Sequence, residues 1–259
     1  MKAGSTVEDN VEKKLFTTIT QQAMSRRYEG DRTPEEVQHA FDRSCTLHCL
    51  EAVFEMHGSH VPSINRWEDY TNFLLENGPH PENGSNNSEV YDINDGWYNH
   101  KIANQLLRPK GFPVVLQRLS LDPVDSSLDI ALQNDRITSP QETELLQNLS
   151  KFGSEAPSKS WFDAIKYTID QNGYVVVSLR IPSSKVAGAV GKHSVLVTEV
   201  GDDLVTYFDS DELVTGRYGV DAPEQMIERA DSDALIYTQP KHLFLSRMGG
   251  EVMHIYPAN

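Results

Sequence analysis

The chain has 259 residues, 38% of them hydrophobic and 24% charged, which is the composition of a soluble globular protein large enough for a substantial core. Its 23 basic and 38 acidic side chains give a net charge of −15, which argues against nucleic acid and anionic lipid surfaces as partners. No apolar stretch reaches the roughly 18 residues that membrane insertion needs.

The two cysteines and the N-terminal residues indicate a cellular compartment. Two cysteines cannot build a disulfide framework, and residues 1–10 lack the apolar core of a signal peptide. We therefore expect a cytoplasmic protein with reduced thiols.

The first part of the chain is predicted to be helical. Apolar residues recur at helical spacing in several segments. Thr33-Pro34-Glu35-Glu36 combines an N-cap, a proline at the first helical position and a glutamate at N3. We predict helices over Val11–Arg27, Thr33–Phe41, from Cys45 to a stop at Gly58, Arg66–Glu76 and Ile102–Arg108.

Two polar segments interrupt the predicted elements. Asn77–Asp95 is rich in Gly, Pro, Asn, Ser and acidic residues, which predicts a long loop or insertion. A strand is predicted at Pro113–Leu116. Leu121–Ser160 is again polar and turn-rich, with one helix predicted near Gln141–Leu149. Both polar segments are candidate lids or substrate walls.

The C-terminal part is predicted to be a helix followed by strands. Trp161–Gln171 has helical periodicity, with Asn172-Gly173 as its stop, and Tyr174–Ile181 is a β-branched run typical of a buried strand. His193–Val200 and the run ending at Asp209 flank a turn and predict a hairpin. A helix near Pro223–Arg229, strands at Ala234–Thr238, Leu243–Ser246 and Val252–Tyr256, and a turn at Met248–Glu251 complete the prediction.

Helices followed by a mostly antiparallel sheet predict an α+β fold. We expect one domain over residues 1–259. Its parts would be a helical region at about residues 11–110, a variable insertion at about 121–160 and a sheet at about 161–259.

Three side chains in these elements suggest nucleophilic chemistry. Cys45 starts an amphipathic helix, where unpaired backbone N–H groups and the helix dipole favour a thiolate. His193 heads one strand of the hairpin and Asp209 ends the other. Because residues equidistant from an antiparallel turn are neighbours, the two should meet. The sequence thus predicts Cys45 as nucleophile, His193 as base and Asp209 as the group that orients the imidazole.

Acyl transfer also needs donors for the oxyanion of the tetrahedral intermediate. The backbone N–H of Cys45 is one candidate. Gln38 is the best side-chain candidate, because a loop between two helices would bring its amide back toward the thiol.

These residues resemble the papain-like cysteine peptidase superfamily, and most closely its double-glycine (bacteriocin-processing) peptidase-like group. The resemblance rests on Cys45-x-x-x-Cys49-Leu50 at a helix start, a glutamine upstream, a valine-rich strand, and the His193 and Asp209 strands. It covers roughly residues 36–54 and 174–212. It implies a papain-like fold in which N-terminal helices pack on the sheet, with Cys45, His193 and Asp209 as the triad and Gln38 as the oxyanion residue.

The chain departs from the family pattern beside each member of the triad. Thr46 stands where glycine usually follows the nucleophile, and Ser194 stands where an aromatic residue commonly follows the base. Ser210 replaces the proline that usually follows the aspartate, and the spacing from Gln38 to Cys45 is one residue longer than usual.

The expected function is a cysteine hydrolase that cleaves a peptide or protein substrate through an acyl-enzyme. The same triad serves acyltransferases and transglutaminases, and an inactive module that binds peptide would keep the same fold. These alternatives stay open on the sequence.

Two segments contain possible metal ligands, but neither is predicted to bind a metal. Cys45, Cys49, His57 and His60 form C-x3-C-x7-H-x2-H, but two cysteines on one continuous helix are awkward zinc ligands. Asp92–Gly96 resembles the start of a calcium loop, but its glycine is out of register with an EF-hand and no ligating glutamate follows at the right distance. We therefore expect neither a metal nor another cofactor.

Overall fold

The structure is a computed structural model, and it is described here over nine ranges of the chain. These are residues 45–57, 91–92, 96–97, 103–119, 139–152, 157–182, 190–209, 228–231 and 236–258. Gln38 and the helices predicted at Val11–Arg27, Thr33–Phe41 and Arg66–Glu76 lie outside the described residues.

The centre of the fold is a seven-stranded antiparallel sheet. Its strand order is β3-β9-β4-β5-β6-β8-β7, and a separate two-stranded ribbon joins β1 to β2. The strands are β1 (Tyr91–Asp92), β2 (Gly96–Trp97), β3 (Val114–Leu119), β4 (Tyr174–Pro182), β5 (Val190–Val200), β6 (Leu204–Phe208), β7 (Glu228–Asp231), β8 (Ile236–Pro240) and β9 (Met248–Ile255).

Four α-helices accompany this sheet in the described part of the chain. They are α1 (Cys45–His57), α2 (Pro140–Ser150), α3 (Pro157–Asp170) and α4 (Lys241–Arg247). Helices and antiparallel strands share one main core, which confirms the predicted α+β class. None of the described helices is long and apolar enough to span a membrane.

The central strands β4 and β5 are covered on both faces. Every residue in 175–179 and 193–197 is buried, and successive side chains of a strand point to opposite faces. Helices α1 and α3 both contact these two strands. The β-branched run of β4 is therefore a fully buried strand, as its sequence predicts.

The apolar residues of α1 hold this helix on the sheet. Leu50, Ala52 and Val53 are buried in the main core. Burying a side chain the size of leucine or valine stabilises the fold by about 1.5–3 kcal/mol. Because the Cys45 end belongs to the same helix, this packing also positions the thiol.

Two C-terminal predictions were wrong. Leu243–Ser246 lies within α4, because a short apolar run is compatible with either a strand or a helix. Phe244 is buried there, with ring centroids 5.3 Å from Tyr207 and 6.3 Å from Phe162.

The predicted turn at Met248–Glu251 is part of β9 instead. A Cβ atom at Gly249 would lie 2.5 Å from Nε of Arg180. Because glycine has no side chain, the Arg180 side chain can lie directly against the β9 backbone at this position.

Two predicted helices also need correction. The segment predicted at Ile102–Arg108 forms a π-helical turn at Ala103–Leu107 and a 3-10 turn at Arg108–Lys110, which contains Pro109. Residues 228 and 229, at the end of the helix predicted near Pro223–Arg229, lie in β7.

The predicted stop after α3 is confirmed. Asn172 has a φ of 57°, the left-handed conformation that ends many helices. Gly173 N–H donates to Thr168 O at 2.9 Å, and Asn172 N–H donates to Ile169 O at 2.9 Å. A Cβ atom at Gly173 would lie 2.7 Å from the Thr168 side chain, so only glycine fits there without movement.

A buried ion pair joins α2 to the edge strand β3. Arg108 Nε and Glu142 Oε1 are 2.7 Å apart, and the Glu142 side chain is 1% exposed. Glu142 Oε1 also accepts the Val114 N–H at 2.8 Å, while the Arg108 guanidinium donates to Val114 O at 3.1 Å. The two side chains therefore form hydrogen bonds with both backbone polar groups of Val114, the residue that begins β3.

A second buried polar network lies between α3, β3 and β9. Thr168 Oγ1 is 2.8 Å from His254 Nδ1 and 3.0 Å from the Tyr256 hydroxyl, and His254 Nε2 is 3.2 Å from Gln117 Oε1. Burial lowers the pKa of His254 to about 3. The imidazole is thus neutral in the folded protein at ordinary pH.

We expect Glu142→Ala to lower the free energy of unfolding by about 3–5 kcal/mol, because it removes the carboxylate that binds a largely buried guanidinium group and accepts a buried backbone N–H. Denaturant titration measures this loss. Asp170→Asn is the matched control, since the Lys166–Asp170 pair is about half exposed and should contribute no more than about 0.5 kcal/mol. Equal losses in the two variants would contradict this assignment.

We expect His254 to make the fold less stable as the pH falls. The unfolded chain takes up a proton near pH 6.5, whereas folded His254 stays neutral until about pH 3, so the unfolded state binds more protons between these values. His254→Gln should flatten the decline of stability with pH by about 1.4 kcal/mol per pH unit in this window. Denaturant titrations at several pH values measure the slope, and a slope that His254→Gln leaves unchanged would contradict this assignment.

Candidate active site

Cys45 is the first residue of α1, and the residue is partly buried. The first N–H groups of an α-helix have no partner within the helix, and the dipole there favours negative charge. The second cysteine, Cys49, lies one turn further along and is fully buried. The two thiols therefore differ in access as well as in position.

The Cys45 sulfur meets β5 at two consecutive residues. It accepts the backbone N–H of Ser194 at 3.3 Å, and the neighbouring His193 lowers the pKa of the thiol as a hydrogen-bond partner and through its charge. Cys45 and Ser194 are 149 positions apart in the chain. The fold thus brings together the thiol and the imidazole that the sequence predicts to interact.

His193 is held from its other side by Asp209. His193 Nε2 lies 2.6 Å from Asp209 Oδ1, and both side chains are buried. Because Nε2 is bonded to the carboxylate, Nδ1 is the ring nitrogen left to interact with Cys45. The three side chains are thus neighbours, in the order thiol, imidazole and carboxylate.

The strand register explains how His193 and Asp209 meet. Phe208 on β6 pairs with Leu196 on β5, and a bulge lies between Val197 and Glu199. Continuing this register places Asp209 diagonally across from His193, on the same face of the sheet. The predicted proximity is present, but the residues are diagonal neighbours instead of direct ones, a distance that long side chains can span.

The electrostatics favour a thiolate and an imidazolium. Burial raises the pKa of Cys45, but the hydrogen bond and charge of His193, with hydrogen bonds from Ser194, outweigh it and lower the pKa below its ordinary value of 9.0. Burial lowers the pKa of His193, but the charge and hydrogen bond of Asp209, with a smaller contribution from Cys45, raise it well above 6.5. Each group therefore stabilises the charged form of the other.

Cys49 is chemically unlike Cys45. Burial raises the pKa of its thiol well above 9.0, and the negative charges of Cys45 and Asp209 raise it further. Its S–H donates to the Ser194 carbonyl oxygen at 3.5 Å. Cys49 is thus a protonated core residue, in agreement with its sequence-based interpretation as a small buried hydrophobe.

Sequence reasoning missed the roles of three further residues in this site. Thr46 Oγ1 lies 2.7 Å from Ser194 Oγ, and both residues are buried. His48 is fully buried, and burial, with the nearby charge of His193, lowers its pKa to about 3. Two features of the sequence could have indicated these residues. Thr46 and Ser194 both depart from the pattern of the family that the sequence resembles, and His48 lies about one helical turn from Cys45.

Gln38, the predicted oxyanion residue, lies outside the described residues, so its role stays a prediction. His60 of the zinc alternative also lies outside them. Within the described ranges, no group of three or more His, Cys, Asp or Glu side chains is arranged to hold a metal ion.

We expect iodoacetamide to alkylate Cys45 before Cys49 near neutral pH. The lowered pKa of Cys45 means that its thiolate persists below pH 9.0 and is lost only as the pH falls through the lowered value. Tandem mass spectrometry after substoichiometric labelling identifies the modified residue. Comparable slow labelling of both cysteines would contradict the assigned thiolate.

His193→Ala should abolish this selectivity, because burial would then raise the pKa of Cys45 with no imidazolium to oppose it. His242→Ala removes an exposed histidine and serves as the control. The pH profile of the labelling rate should shift to higher pH in His193→Ala and stay unchanged in His242→Ala.

No family model matches this sequence, and no curated protein or solved structure is detectably similar to it.

Proposed function

We propose that the protein is a papain-like cysteine hydrolase that cleaves an amide or thioester bond in a peptide or protein substrate. One observation supports this above all: the Cys45 sulfur bonds the N–H of the residue after His193 at 3.3 Å, and a 2.6 Å bond joins the His193 imidazole to the Asp209 carboxylate. A nucleophile, a base and a group that orients the base are the parts that covalent acyl transfer needs.

Acylation begins from the thiolate–imidazolium pair. The Cys45 sulfur attacks the carbonyl carbon and forms a tetrahedral intermediate. The His193 Nδ1–H then protonates the leaving nitrogen or sulfur, the bond to the leaving group breaks, and an acyl-enzyme remains. Asp209 accepts the Nε2–H throughout, so the proton that is transferred is the one on the nitrogen beside Cys45.

Deacylation uses the same side chains in the reverse sense. Neutral His193 removes a proton from water, the water oxygen attacks the thioester carbon, and the thiolate leaves as the imidazolium forms again. The negative oxygen of each tetrahedral intermediate is stabilised by the Cys45 backbone N–H and, in this proposal, by the Gln38 side chain. Removing one such donor typically raises the free-energy barrier by about 2.7–4 kcal/mol.

Residues 77–95 and 121–160 are proposed as the walls or lids that select the substrate. Their polar composition and length suit surface segments that carry binding residues. An amine that replaces water in the second step would make the protein an acyltransferase with the same side chains. Product analysis with and without an added amine distinguishes these two outcomes.

We expect an activated ester, such as p-nitrophenyl acetate, to transfer its acetyl group to Cys45. Intact-protein mass spectrometry should show one acetyl group, and peptide sequencing should place it on Cys45. Cys45→Ala should remove it, while Cys49→Ala, one helical turn away, should retain it. His193→Ala should slow turnover by about 10²–10⁴-fold, the usual contribution of general acid–base catalysis.

A pair of variants at Asp209 sharpens this test. Asp209→Asn keeps an oxygen that accepts the Nε2–H, so it should retain more activity than Asp209→Ala, which removes the acceptor. Acetylation that is independent of His193 would overturn the proposed hydrolase and favour an inactive binding module.

A further inference from the structure

Ser194 is bonded to α1 through all three of its polar groups. Its N–H donates to the Cys45 sulfur at 3.3 Å, and its carbonyl oxygen accepts the Cys49 S–H at 3.5 Å. Its hydroxyl oxygen lies 2.7 Å from Thr46 Oγ1. One residue of β5 therefore contacts three residues in the first two turns of α1.

With its backbone nitrogen 3.3 Å from the Cys45 sulfur, Ser194 also lowers the pKa of Cys45 through its side chain, as a hydrogen bond from the hydroxyl to sulfur would. A hydroxyl has one proton and can accept two hydrogen bonds. If Ser194 donates its proton to sulfur, its bond with Thr46 must use the Thr46 proton. Such a bond to sulfur and the Thr46–Ser194 contact would together set the direction of both hydroxyl groups.

We propose that Thr46 and Ser194 are positioning residues for the nucleophile, with the Thr46 hydroxyl donating to the Ser194 hydroxyl and the Ser194 hydroxyl donating to the Cys45 thiolate. The inference rests on the proposed function, because it assigns these roles within the same site. It also assigns a purpose to two residues that differ from the family pattern and contact each other. A hydroxyl at each position replaces the glycine and the aromatic ring of that pattern.

Donors to a thiolate have two opposite effects on its reactivity. They stabilise the negative charge, so a larger share of the thiol is ionised near neutral pH. They also make the ionised sulfur a weaker nucleophile, because nucleophilicity falls as the thiol pKa falls. A residue that supports only the fold would not change both quantities in this linked way.

The other titratable groups around the thiol lie on β5, at the end of β6 and on α1 itself. His193 on β5 and Asp209 at the end of β6 belong to the triad, while His48 and Cys49 lie on α1. His48 stays neutral because burial and the charge of His193 lower its pKa to about 3, and burial keeps Cys49 protonated by raising its pKa. Neither should titrate in the pH range where the Cys45 thiolate forms.

The test is the rate of Cys45 alkylation by iodoacetamide as a function of pH in full-length variants. Ser194→Ala and Thr46→Val should both shift the profile to higher pH. At high pH, where the thiol is fully ionised, the rate should exceed that of the unmodified protein by roughly 3-fold for each unit of the shift. Thr46→Ser keeps the hydroxyl and should restore the original profile.

Two controls keep the test informative. Thr198→Val removes another hydroxyl from β5, one that donates to Thr206 O at 3.2 Å, and should leave the profile unchanged. Cys49 is buried, so its continued resistance to labelling shows that each variant is folded. If one of the two variants exposes Cys49, the other carries the test, since Ser194→Ala and Thr46→Val should each shift the profile alone. Ser194→Thr keeps the hydroxyl and should retain the original profile.

An unchanged profile in folded Ser194→Ala and Thr46→Val would overturn the positioning roles, even if His193→Ala shifts it strongly. The proposed function would then stand without them. Conversely, turnover of the acetyl ester that survives His193→Ala would overturn the proposed function, whereas a shift in Ser194→Ala would still support the hydrogen bonds to sulfur. The two failures are therefore distinguishable.

Discussion

The contact between the first turn of α1 and β5 is the interaction on which the candidate site depends. It joins positions 149 residues apart, through the Ser194 N–H and the Cys45 sulfur. The contact is maintained by the apolar residues that follow Cys45 on the helix, since Leu50 and Val53 are buried in the same core as β4 and β5. Loss of that packing would separate the thiol from the imidazole, because no covalent link holds them together.

Burial and charge oppose each other throughout this site. Moving a thiolate or an imidazolium out of water costs free energy, and the opposite charge and hydrogen bonds must offset that cost. At Cys45 and His193 they do, so both groups favour their charged forms. At His48 and Cys49 they do not, and those groups stay neutral although they lie close by. Cys45 and His193, which favour their charged forms, are thus set apart from neighbours of the same residue types.

Much of the secondary structure followed from local patterns. The β-branched run of β4, the Asn-Gly stop of α3 and the turn between β5 and β6 depend on neighbouring residues, and their predictions agreed with the structure. The errors occurred where local signals are ambiguous. An apolar run around Phe244 suits a helix or a strand, and two glycines suit a turn or a strand crossed by a large side chain.

Residue types and their order along the chain were enough to predict an α+β class and to single out Cys45, His193 and Asp209 as candidates. Which groups contact the sulfur was decided only on folding. The partnership of Thr46 with Ser194 depends on the rotation of α1 about its axis, and the diagonal placement of Asp209 depends on a bulge between Val197 and Glu199. Both are set by many packing contacts between distant segments, so neither can be recognised from a periodic pattern in the sequence.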